Sequence, residues 1–339
     1  MLETIRQASR PVDVTLPQSQ QAAPVVPTEV RIKGETRFVP SVKISDRTVV
    51  TSGRWLKIAA VQDEELVEGD TVDDPCSFVA HVRRSGIKAD LFTFAQRLPD
   101  TAPKYAHHIE LENAAALKIT TYEYWLKTQV EYSIRKGVNR AKKVGVTAAV
   151  ADFNDQLIKA IFRIYNETPV RQGKRFWHYG KDYQSTRRAL ATYLDRSFFI
   201  GAYFGGELIG FMKITSVNGT ATITQILSAK QHFDKRPNNA LIAKAVETCE
   251  LRRMSHLIYG SFVYYDRESS LTEFKRRNGF EAVSLPRYYI PLTVKGTIAL
   301  RLGFHRGIAG NIPEPLFRRF LKTRSLWYAR RSRSAEDHA

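Results

Sequence analysis

The sequence predicts an α/β (α+β) protein of two domains, with a mixed central sheet flanked by helices. Three observations lead to this fold class. The chain has 339 residues, 43% of them hydrophobic, which is enough to bury a core in each of two compact domains. Strand-like and helix-like patterns alternate along it. Gly-Gly and Asn-Gly pairs separate strand-like runs in the second half, as tight hairpins require, so the C-terminal domain is the better marked one.

The charge and cysteine content of the chain restrict its partners and its surroundings. Lys and Arg number 52 against 34 acidic residues, a net charge of +18, which predicts an anionic partner such as nucleic acid, a phosphorylated donor or an acidic membrane surface. Cys76 and Cys249 form no CxxC motif, so neither a disulfide framework nor a thiolate zinc site is expected. No window approaches 18 apolar residues, and the first residues do not resemble a signal peptide. We expect a cytoplasmic protein, with peripheral contact at the inner membrane face as an alternative.

The amino-terminal part predicts a leader followed by a weakly patterned domain. Residues 1–28 are rich in Gln, Pro, Ala and Val and lack periodicity, which is typical of disorder. Beyond Glu29, "RTVVTSG", "RWLKIAAVQ" and "DLFTFAQRL" predict strands, and "DPCSFVAHVRRSG" predicts a helix. The predicted division is a disordered leader (1–28), a degenerate N-terminal domain (29–120), a connecting helix (121–145), a C-terminal domain (146–293) and a basic amphipathic tail (294–339).

The connecting helix has clear end signals. Thr121 is a good N-cap, apolar residues follow at helical spacing, and Gly145 fits the stop. Its second half is crowded with basic residues, namely Arg135, Lys136, Arg140, Lys142 and Lys143. Cations near a helix C-terminus are favourable for the dipole, so these residues form either a solvated face or a patch that faces phosphates.

The C-terminal domain contains ten predicted elements. They are a strand (146–151), a helix (154–167), a helix (183–195), the strands "FFIGAYF", "ELIGFMKIT" and "TATITQILS", a helix (239–254), the strand "HLIYGSF", a helix (270–278) and the strand "FEAVSLPRYYI". Ser270 and Glu273 stand at capping-box spacing, and Gly279 supplies a left-handed stop for the last helix.

This order, β-α-α-β-β-β-α-β-α-β, resembles that of the GNAT acyltransferase superfamily. "FFIGAYFGGELIGFMKI", "NNALIAKAVETC" and "FKRRNGFE" are similar to its hairpin, central helix and closing helix-turn-strand, and together they span about residues 146–290. "WLKTQVEYSIRKGVNRAKKVGV" and "EFKRRNGF" resemble the FemAB-like branch, whose members carry two GNAT-type domains. The first domain here is then a degenerate GNAT-like one.

The resemblance implies transfer of an acyl or aminoacyl group to an amino group of a cell-envelope precursor, sugar or peptide. Two alternatives stay open, an acetyl-CoA-dependent N-acetyltransferase and a non-catalytic GNAT-like binding module. No permanently bound cofactor is expected. The acyl donor is either aminoacyl-tRNA or acyl-CoA, both of which are anionic.

The resemblance places the donor between two strands, at 220–229 and 256–262, that diverge in this fold. Acetyl-CoA users hold pyrophosphate on a loop of the form Gln/Arg-x-x-Gly-x-Gly/Ala before the central helix, where glycines allow close backbone approach. This chain has "DKRPNNALIA" there, without glycine and with Pro237 removing one N–H donor, which predicts weakened CoA binding. The expected donor-binding residues are Gln225, Lys235, Arg236, Asn238 and Asn239. The alternative is that Asn238 or Asn239 is only an N-cap.

The loop "TPVRQGKRFWHYGKD" (168–182) joins two helices that overhang the acceptor cleft in GNAT folds. Its density of cationic and aromatic groups predicts ligand binding, with Arg171, Lys174 and Trp177 as acceptor-binding residues. His178 is the candidate general base, because an unperturbed histidine titrates near neutral pH. Structural roles for the aromatic residues and for His178 are the alternative.

Three further residues complete the predicted catalytic set. In GNAT enzymes a tyrosine of this region protonates the departing thiolate, and Tyr264 or Tyr265 matches by position. Lys275 stands at the FemAB-like Phe-Lys position, where it would stabilise an oxyanion or a donor phosphate. Core packing is the alternative for the tyrosines. His107 and His108 are adjacent, which is poor metal geometry, so no metal site is predicted.

The tail beyond Pro291 combines basic residues with Leu316, Phe317, Phe320 and Trp327. A basic amphipathic helix can lie on an anionic membrane surface. Packing on the domain and contact with RNA are the alternatives.

Overall fold

The computed structural model describes residues 23–32, 35–171, 173–264 and 268–306. Within these ranges the strands are β1 (Val26–Ile32), β2 (Glu35–Ile44), β3 (Arg47–Ser52), β4 (Ile58–Val61), β5 (Leu91–Ala95), β6 (His108–Lys118), β7 (Thr147–Ala151), β8 (Val170–Arg171), β9 (Lys174–Arg175), β10 (Ser197–Phe204), β11 (Glu207–Val217), β12 (Thr220–Ser228), β13 (His256–Ser261) and β14 (Glu281–Pro291). The α-helices are α1 (Pro75–Arg84), α2 (Tyr122–Tyr124), α3 (Tyr132–Lys143), α4 (Asp155–Tyr165), α5 (Tyr183–Leu190), α6 (Pro237–Leu251), α7 (Ser270–Arg277) and α8 (Val294–Arg301).

Shorter helical turns complete the description. Four are 3₁₀ turns, at Glu64–Leu66, Leu194–Arg196, Lys230–Lys235 and Phe304–Arg306, and one π-helical turn covers Trp125–Gln129. None of the helices in the described ranges is long and apolar enough to cross a membrane.

Twelve of the described strands form one mixed sheet in the order β1-β2-β3-β4-β5-β14-β6-β13-β12-β11-β10-β7. The pairs β4–β5 and β12–β13 are parallel. Strand β6 belongs to the first half of the chain, yet it pairs with β13 and β14 of the second half. The two halves therefore share a continuous sheet.

Helices cover both faces of this sheet in the second half. Met212 of β11 packs in the core that contains Leu241 and Val246 of α6, whereas its neighbour Phe211 packs with Ile161 of α4. Because successive side chains of a strand point to opposite faces, α6 and α4 lie on opposite sides. In the first half, α1 covers β2–β5 through Val79 and other apolar residues.

The predicted tight turns are confirmed. Gly205 and Gly206 link β10 to β11 with φ of 57° and 83°, and Asn218 and Gly219 link β11 to β12 with φ of 49° and 71°. Positive φ at both central residues gives a turn whose twist matches that of the strands. The ten-element order predicted for residues 146–293 is present.

The helix predicted across 121–145 is interrupted. Thr121 caps it by accepting a hydrogen bond from the Tyr124 amide, and Gly145 ends it with φ of 90°. Between these ends, Val130 and Glu131 are extended and separate the π-helical turn from α3. The Glu131 amide donates to the carbonyl of Arg277 at 3.0 Å, so a contact with the end of α7 replaces continuation of the helix.

Other differences lie in the element boundaries. The strands β1, β2 and β6 were not predicted, and β1 begins at Val26, before the predicted start of order. Helix α5 ends at Leu190 instead of 195. The capping box of α7 is made by Ser269 and Thr272, one residue earlier than the predicted Ser270 and Glu273. Most of the predicted leader (1–22) and of the predicted tail (307–339) lies outside the described residues.

Candidate functional site

Strands β12 and β13 diverge in the middle of the sheet. They pair only at Thr220–Thr222 with His256–Ile258, although both strands continue further. A bulge adds to the divergence: Lys213 pairs with Gln225 and Ile214 with Ile223, so Thr224 is an extra residue in β12. The expected gap is therefore present, and backbone groups on both of its sides are released from the ladder.

A cavity of about 950 Å³ lies over this part of the sheet. Its floor crosses β12, β13, β6 and β14 and includes Thr222, Ile258 and Asn113. One wall is the acidic turn at 63–66, and the other contains Ala189 of α5 and Tyr193 just beyond it. We call this cavity the central cleft. It joins the two halves of the chain beside the gap between β12 and β13.

Lys275 lies beside the central cleft. Its side chain is fully buried, and Nζ donates a hydrogen bond to the Ser261 carbonyl at 2.5 Å. Nζ also lies 4.8 Å from the ring centre of Tyr259 and 4.9 Å from that of Tyr264, and both tyrosines line the cleft. No carboxylate of the described residues forms an ion pair with Lys275. Burial lowers its pKa to about 8.

This pKa predicts how Lys275 affects stability. The folded pKa of about 8 lies below the ordinary value of 10.5, so between these values the unfolded chain binds more protons than the folded one. The contribution of Lys275 to the free energy of unfolding therefore rises from about pH 8 to pH 10.5. Urea unfolding across this interval should show a rise that is missing in Lys275→Met. An equal rise in both proteins would contradict the assignment.

Tyr264 depends on a glycine for its position. Gly260 has φ of 57°, and a Cβ added there would lie 2.6 Å from the Tyr264 hydroxyl. Tyr264 is 45% exposed and lines the central cleft. The other tyrosine proposed from the sequence, Tyr265, lies outside the described residues.

The predicted base His178 lies in an aromatic stack. It is 5% exposed, and its ring centre is 4.0 Å from that of Tyr165 and 3.6 Å from that of Trp177. Its Nε2 is 2.9 Å from Nε2 of Gln225, which also donates to the Tyr165 hydroxyl at 2.5 Å. These contacts give His178 and Gln225 a packing role, and their catalytic and donor-binding roles stay predictions.

The three predicted acceptor-binding residues lie in or beside the 168–182 loop, and two of them have described side chains. The guanidinium of Arg171 donates to the carbonyls of Ser228 and Ile164 and to Glu167, so it ties the end of α4 to the end of β12. Trp177 is 44% exposed. The side chain of Lys174 lies outside the described part of the structure. Acceptor binding by these three residues stays a prediction.

The donor loop forms the 3₁₀ turn Lys230–Lys235. Arg236 follows with φ of 61°, and α6 begins at Pro237 without a side-chain cap. The N-cap alternative for Asn238 and Asn239 is therefore wrong. The Ser228 hydroxyl donates to Oδ1 of Asn238 at 2.6 Å, and Asn239 packs against Gly137 of α3.

The two cations of this loop differ in their surroundings. Nζ of Lys235 lies 5.0 Å from the Phe204 ring centre and 3.3 Å from Asp234, whereas Arg236 is exposed.

The contact between Asn239 and Gly137 sets α3 beside the start of α6. On α3, Lys136, Arg140, Lys142 and Lys143 are exposed.

His108 belongs to a cluster of side chains with metal-ligand atoms, away from the central cleft. Ligand-type atoms of His108, Glu110 and His305 lie within 4.8 Å of one another. However, Oε1 of Glu110 accepts hydrogen bonds from Nε2 of His305 at 2.6 Å and from Nε of Arg306 at 2.8 Å. Arg306 would repel a cation at this carboxylate, so the geometry is that of an ion-paired contact between β6 and the turn that follows α8.

Sequence reasoning missed the first-half wall of the central cleft. The charged residues that the first half contributes to the cleft are Glu29, Asp63, Glu64, Glu65, Arg97 and Glu112. The second half contributes Lys213 and Arg287. The acidic run "QDEELVEGD" at 62–70 is a signal that could have indicated this wall. The run lines the cleft only because β5 and β14 are neighbours in the sheet, and the sequence pattern does not indicate that pairing.

The diverging strands, the central helix α6 on one face and α4 and α5 on the other define the class: the chain has a two-domain GNAT-type fold. No protein-family model matches the sequence, and no curated protein matches it significantly.

Solved structures show the same architecture. The C-terminal domain (DUF2156) of a protein described as a lysylphosphatidylglycerol synthetase from Agrobacterium fabrum is similar at 14% identity and a TM-score of 0.51, over 78% of this chain and 87% of that one. The structure of L-PGS from Bacillus licheniformis is similar at 14% identity and a TM-score of 0.50, over 78% of this chain and 88% of that one. The structure of FemX is similar at 10% identity and a TM-score of 0.50, over 77% of this chain and 88% of that one. At these identities the similarity concerns the fold.

Proposed function

We propose that this chain is an acyltransferase that moves an acyl or aminoacyl group to an amino group. The observation that carries the proposal is the gap between β12 and β13, which opens beside the central cleft with Lys275 at its edge. Released backbone groups can bind an extended donor, and the cleft of about 950 Å³ has room for a separate acceptor. The FemAB-like resemblance of "EFKRRNGF" and the names of the similar structures agree with this chemistry.

The residues at the gap fit the needs of acyl transfer. The acceptor nitrogen attacks the donor carbonyl, a C–N bond forms, and the bond to the leaving sulfur or oxygen breaks. The protonated Nζ of Lys275, desolvated beside Ser261, stabilises the negative charge that develops on the carbonyl oxygen. The Tyr264 hydroxyl gives its proton to the leaving group, and the proton that the acceptor nitrogen loses returns to the Tyr264 oxygen, so the tyrosine ends the reaction in its starting form. Because the charged form of Lys275 is the active one, transfer is expected to fall as the pH rises through about 8.

The donor loop favours aminoacyl-tRNA over acyl-CoA. The loop has no glycine, and its side chains at Asn238 and Asn239 are used in contacts with Ser228 and Gly137. The exposed cations Lys136, Arg140 and Lys143 lie on the helix that packs beside the start of α6. They extend the basic surface beyond the loop, which suits a long polyanion.

The donor is tested by supplying the purified protein with acetyl-CoA or with a panel of aminoacyl-tRNAs, together with an amine acceptor. Mass spectrometry of the amide product is expected to show transfer from an aminoacyl-tRNA. Submicromolar acetyl-CoA binding by calorimetry, with acetyl transfer, would overturn the donor assignment. Absence of transfer from both donors at saturating concentration would overturn the function and favour a binding module.

Removing the loop charges is expected to weaken donor binding. Replacing Lys235 and Arg236 with alanine should lower tRNA affinity and reduce the slope of log K against log salt by about one for each charge that contacts a phosphate. Fluorescence anisotropy at several salt concentrations measures both quantities. The matched control replaces the exposed Lys88 and Arg301, which lie in the first half and on α8. Equal slopes for the two double variants would remove these residues from the donor site.

A further inference from the structure

Helix α8 presents an apolar stripe to solvent. Val294, Ile298 and Leu302, the residue just after the helix, recur every four residues, so they lie on one helical face. They are 78%, 52% and 59% exposed. The opposite face of α8 is packed, since Ala299 is 1% exposed and contacts Leu91 in a small core cluster. The helix is therefore held by one apolar face, and the described residues leave the other uncovered.

Two aromatic side chains extend this stripe. Trp55, in the turn between β3 and β4, is 60% exposed, and Phe304 is 44% exposed. Their ring centres are 5.6 Å apart in an edge-to-face contact. Nζ of Lys295 lies 5.2 Å from the Trp55 ring centre and donates to the Trp55 carbonyl, which ties the indole to the first turn of α8. We call five exposed apolar residues the α8 surface: Trp55, Val294, Ile298, Leu302 and Phe304. Large apolar side chains grouped in this way mark an interaction site.

The charges of the segments that form the α8 surface are all positive. Residues 53–57 and 293–306 contain five Lys or Arg and no acidic residue. Among these cations, Arg54 and Arg301 are exposed, and neither makes an ion pair with another described residue. The α8 surface thus combines apolar side chains with cations that are available to an anionic partner.

A recess of about 470 Å³ at the border of the α8 surface adds further positive charge. It is lined by Lys57, Arg83, Lys88 and Lys295, and its acidic residue is Asp90. The carboxylate of Asp90 is already in use, because it accepts hydrogen bonds from the Lys57 amide at 2.9 Å and from Nζ of Lys295 at 3.1 Å. Four cations thus line the recess together with one carboxylate.

Charge decides which partner fits the α8 surface. A second copy of the chain would bring the same cations against these, because a twofold contact uses the same patch on both subunits. Residues 307–339, which follow the surface in sequence, carry seven Lys or Arg against three acidic residues, so like charge disfavours their contact with it as well. An anionic phospholipid bilayer offers negative headgroups above an apolar interior, and tryptophan is favoured at that boundary.

We propose that the α8 surface docks the chain onto an anionic phospholipid membrane. Trp55, Ile298 and Leu302 enter the boundary between headgroups and acyl chains, while Arg54 and Arg301 approach the headgroup phosphates. No membrane-spanning helix is needed for this peripheral contact.

The inference does not depend on the proposed acyl transfer. The α8 surface adjoins Ile58 and Leu91, at the start of β4 and β5. The ends of these two strands, at Val61 and Ala95, line the central cleft. Docking therefore occupies the other end of the strands and leaves the cleft open.

Flotation of the full chain with vesicles made of equal parts phosphatidylcholine and phosphatidylglycerol tests the proposal. We expect binding to these vesicles and binding at least about tenfold weaker to phosphatidylcholine alone, since each Lys or Arg near an anionic surface contributes a factor of about five. Combining Trp55→Ser with Ile298→Ser should weaken binding to the anionic vesicles by about tenfold or more, because two apolar side chains no longer leave water. Circular dichroism checks that each variant is folded.

The matched control for the apolar variant combines Tyr132→Ser with Leu251→Ser. These residues of α3 and α6 are 73% and 76% exposed, and the control should bind vesicles like the wild type. For the charges, Arg54→Gln with Arg301→Gln should weaken binding by about tenfold or more. Two exposed cations of α3 serve as the control for that pair, in the variant Lys136→Gln with Arg140→Gln, which should bind nearly as well as the wild type.

Three results would overturn the proposal. Unchanged vesicle binding in the Trp55→Ser, Ile298→Ser variant would show that the apolar stripe does not enter the membrane. Equal weakening by the two charge variants would reduce the attraction to the net charge of +18. A dimer that sedimentation velocity detects without vesicles, and that Ile298→Ser dissociates, would assign the α8 surface to a second copy of the chain.

Discussion

Replacing Lys275 with methionine is expected to lower the rate of acyl transfer by roughly 100- to 1000-fold, the loss that follows removal of one preorganised oxyanion-stabilising group. The ammonium is buried between Tyr259, Tyr264 and the Ser261 carbonyl, which hold it in place beside the gap. The effect should appear in kcat, since charge on the carbonyl oxygen develops in the transition state.

The same substitution at Lys213 is the matched control for stability. Lys213 is also buried, but its removal leaves the carbonyls of Leu190 and Thr192 unpaired, which costs about 1–3 kcal/mol in the free energy of unfolding. Lys275→Met also leaves one carbonyl, that of Ser261, without its donor, but it removes a buried charge that has no carboxylate partner among the described residues. Its free energy of unfolding should therefore fall less than that of Lys213→Met. A Lys275→Met protein with wild-type kcat would remove Lys275 from the catalytic site.

Replacing Trp125 with alanine is expected to lower the free energy of unfolding by about 3–5 kcal/mol, the usual cost of truncating a buried tryptophan. The side chain of Trp125 is 0% exposed, and Nε1 donates to the Asn278 carbonyl at 3.0 Å. It therefore joins the segment between the two halves to the end of α7, the helix that carries Lys275. Chemical denaturation monitored by circular dichroism measures the change.

Trp177→Ala is the matched control for this prediction. Trp177 is 44% exposed, so its loss should change the free energy of unfolding much less than the loss of Trp125, within about 1 kcal/mol. The predicted role of Trp177 in acceptor binding would appear instead in KM. Equal destabilisation by the two substitutions would contradict the anchoring role assigned to Trp125.

Local features of the fold could be predicted because their causes are local. Gly205-Gly206 and Asn218-Gly219 supply the positive φ that two-residue turns need. Thr121 caps a helix through an amide three residues away. The interruption at Val130 was not predictable in this way, since it depends on a contact with Arg277 that no local pattern indicates. Strand β6 was missed because "HIELENAAALK" mixes charged residues with alanine, and its neighbours in the sheet are distant in sequence.

Some residues of the candidate site could likewise be predicted from the sequence, and others could not. Lys275 was found through the FemAB-like resemblance of its segment, but its burial against Tyr259 became visible only in the folded chain. The cleft wall was missed because its central ion pair joins Glu64 to Arg287, which are 223 residues apart. His178 was selected for its ordinary pKa range, whereas its stack on Tyr165 and Trp177 depends on how the 168–182 loop folds back.

The most direct test of the central claim, that the donor binds in the β12–β13 gap, is amide hydrogen exchange with a non-hydrolysable aminoacyl-tRNA analogue. The backbone amides that face the gap, within 223–227 of β12 and 259–261 of β13, should become protected when the analogue binds. Tight binding of the analogue that leaves both segments unprotected, with protection confined to other elements, would contradict the account.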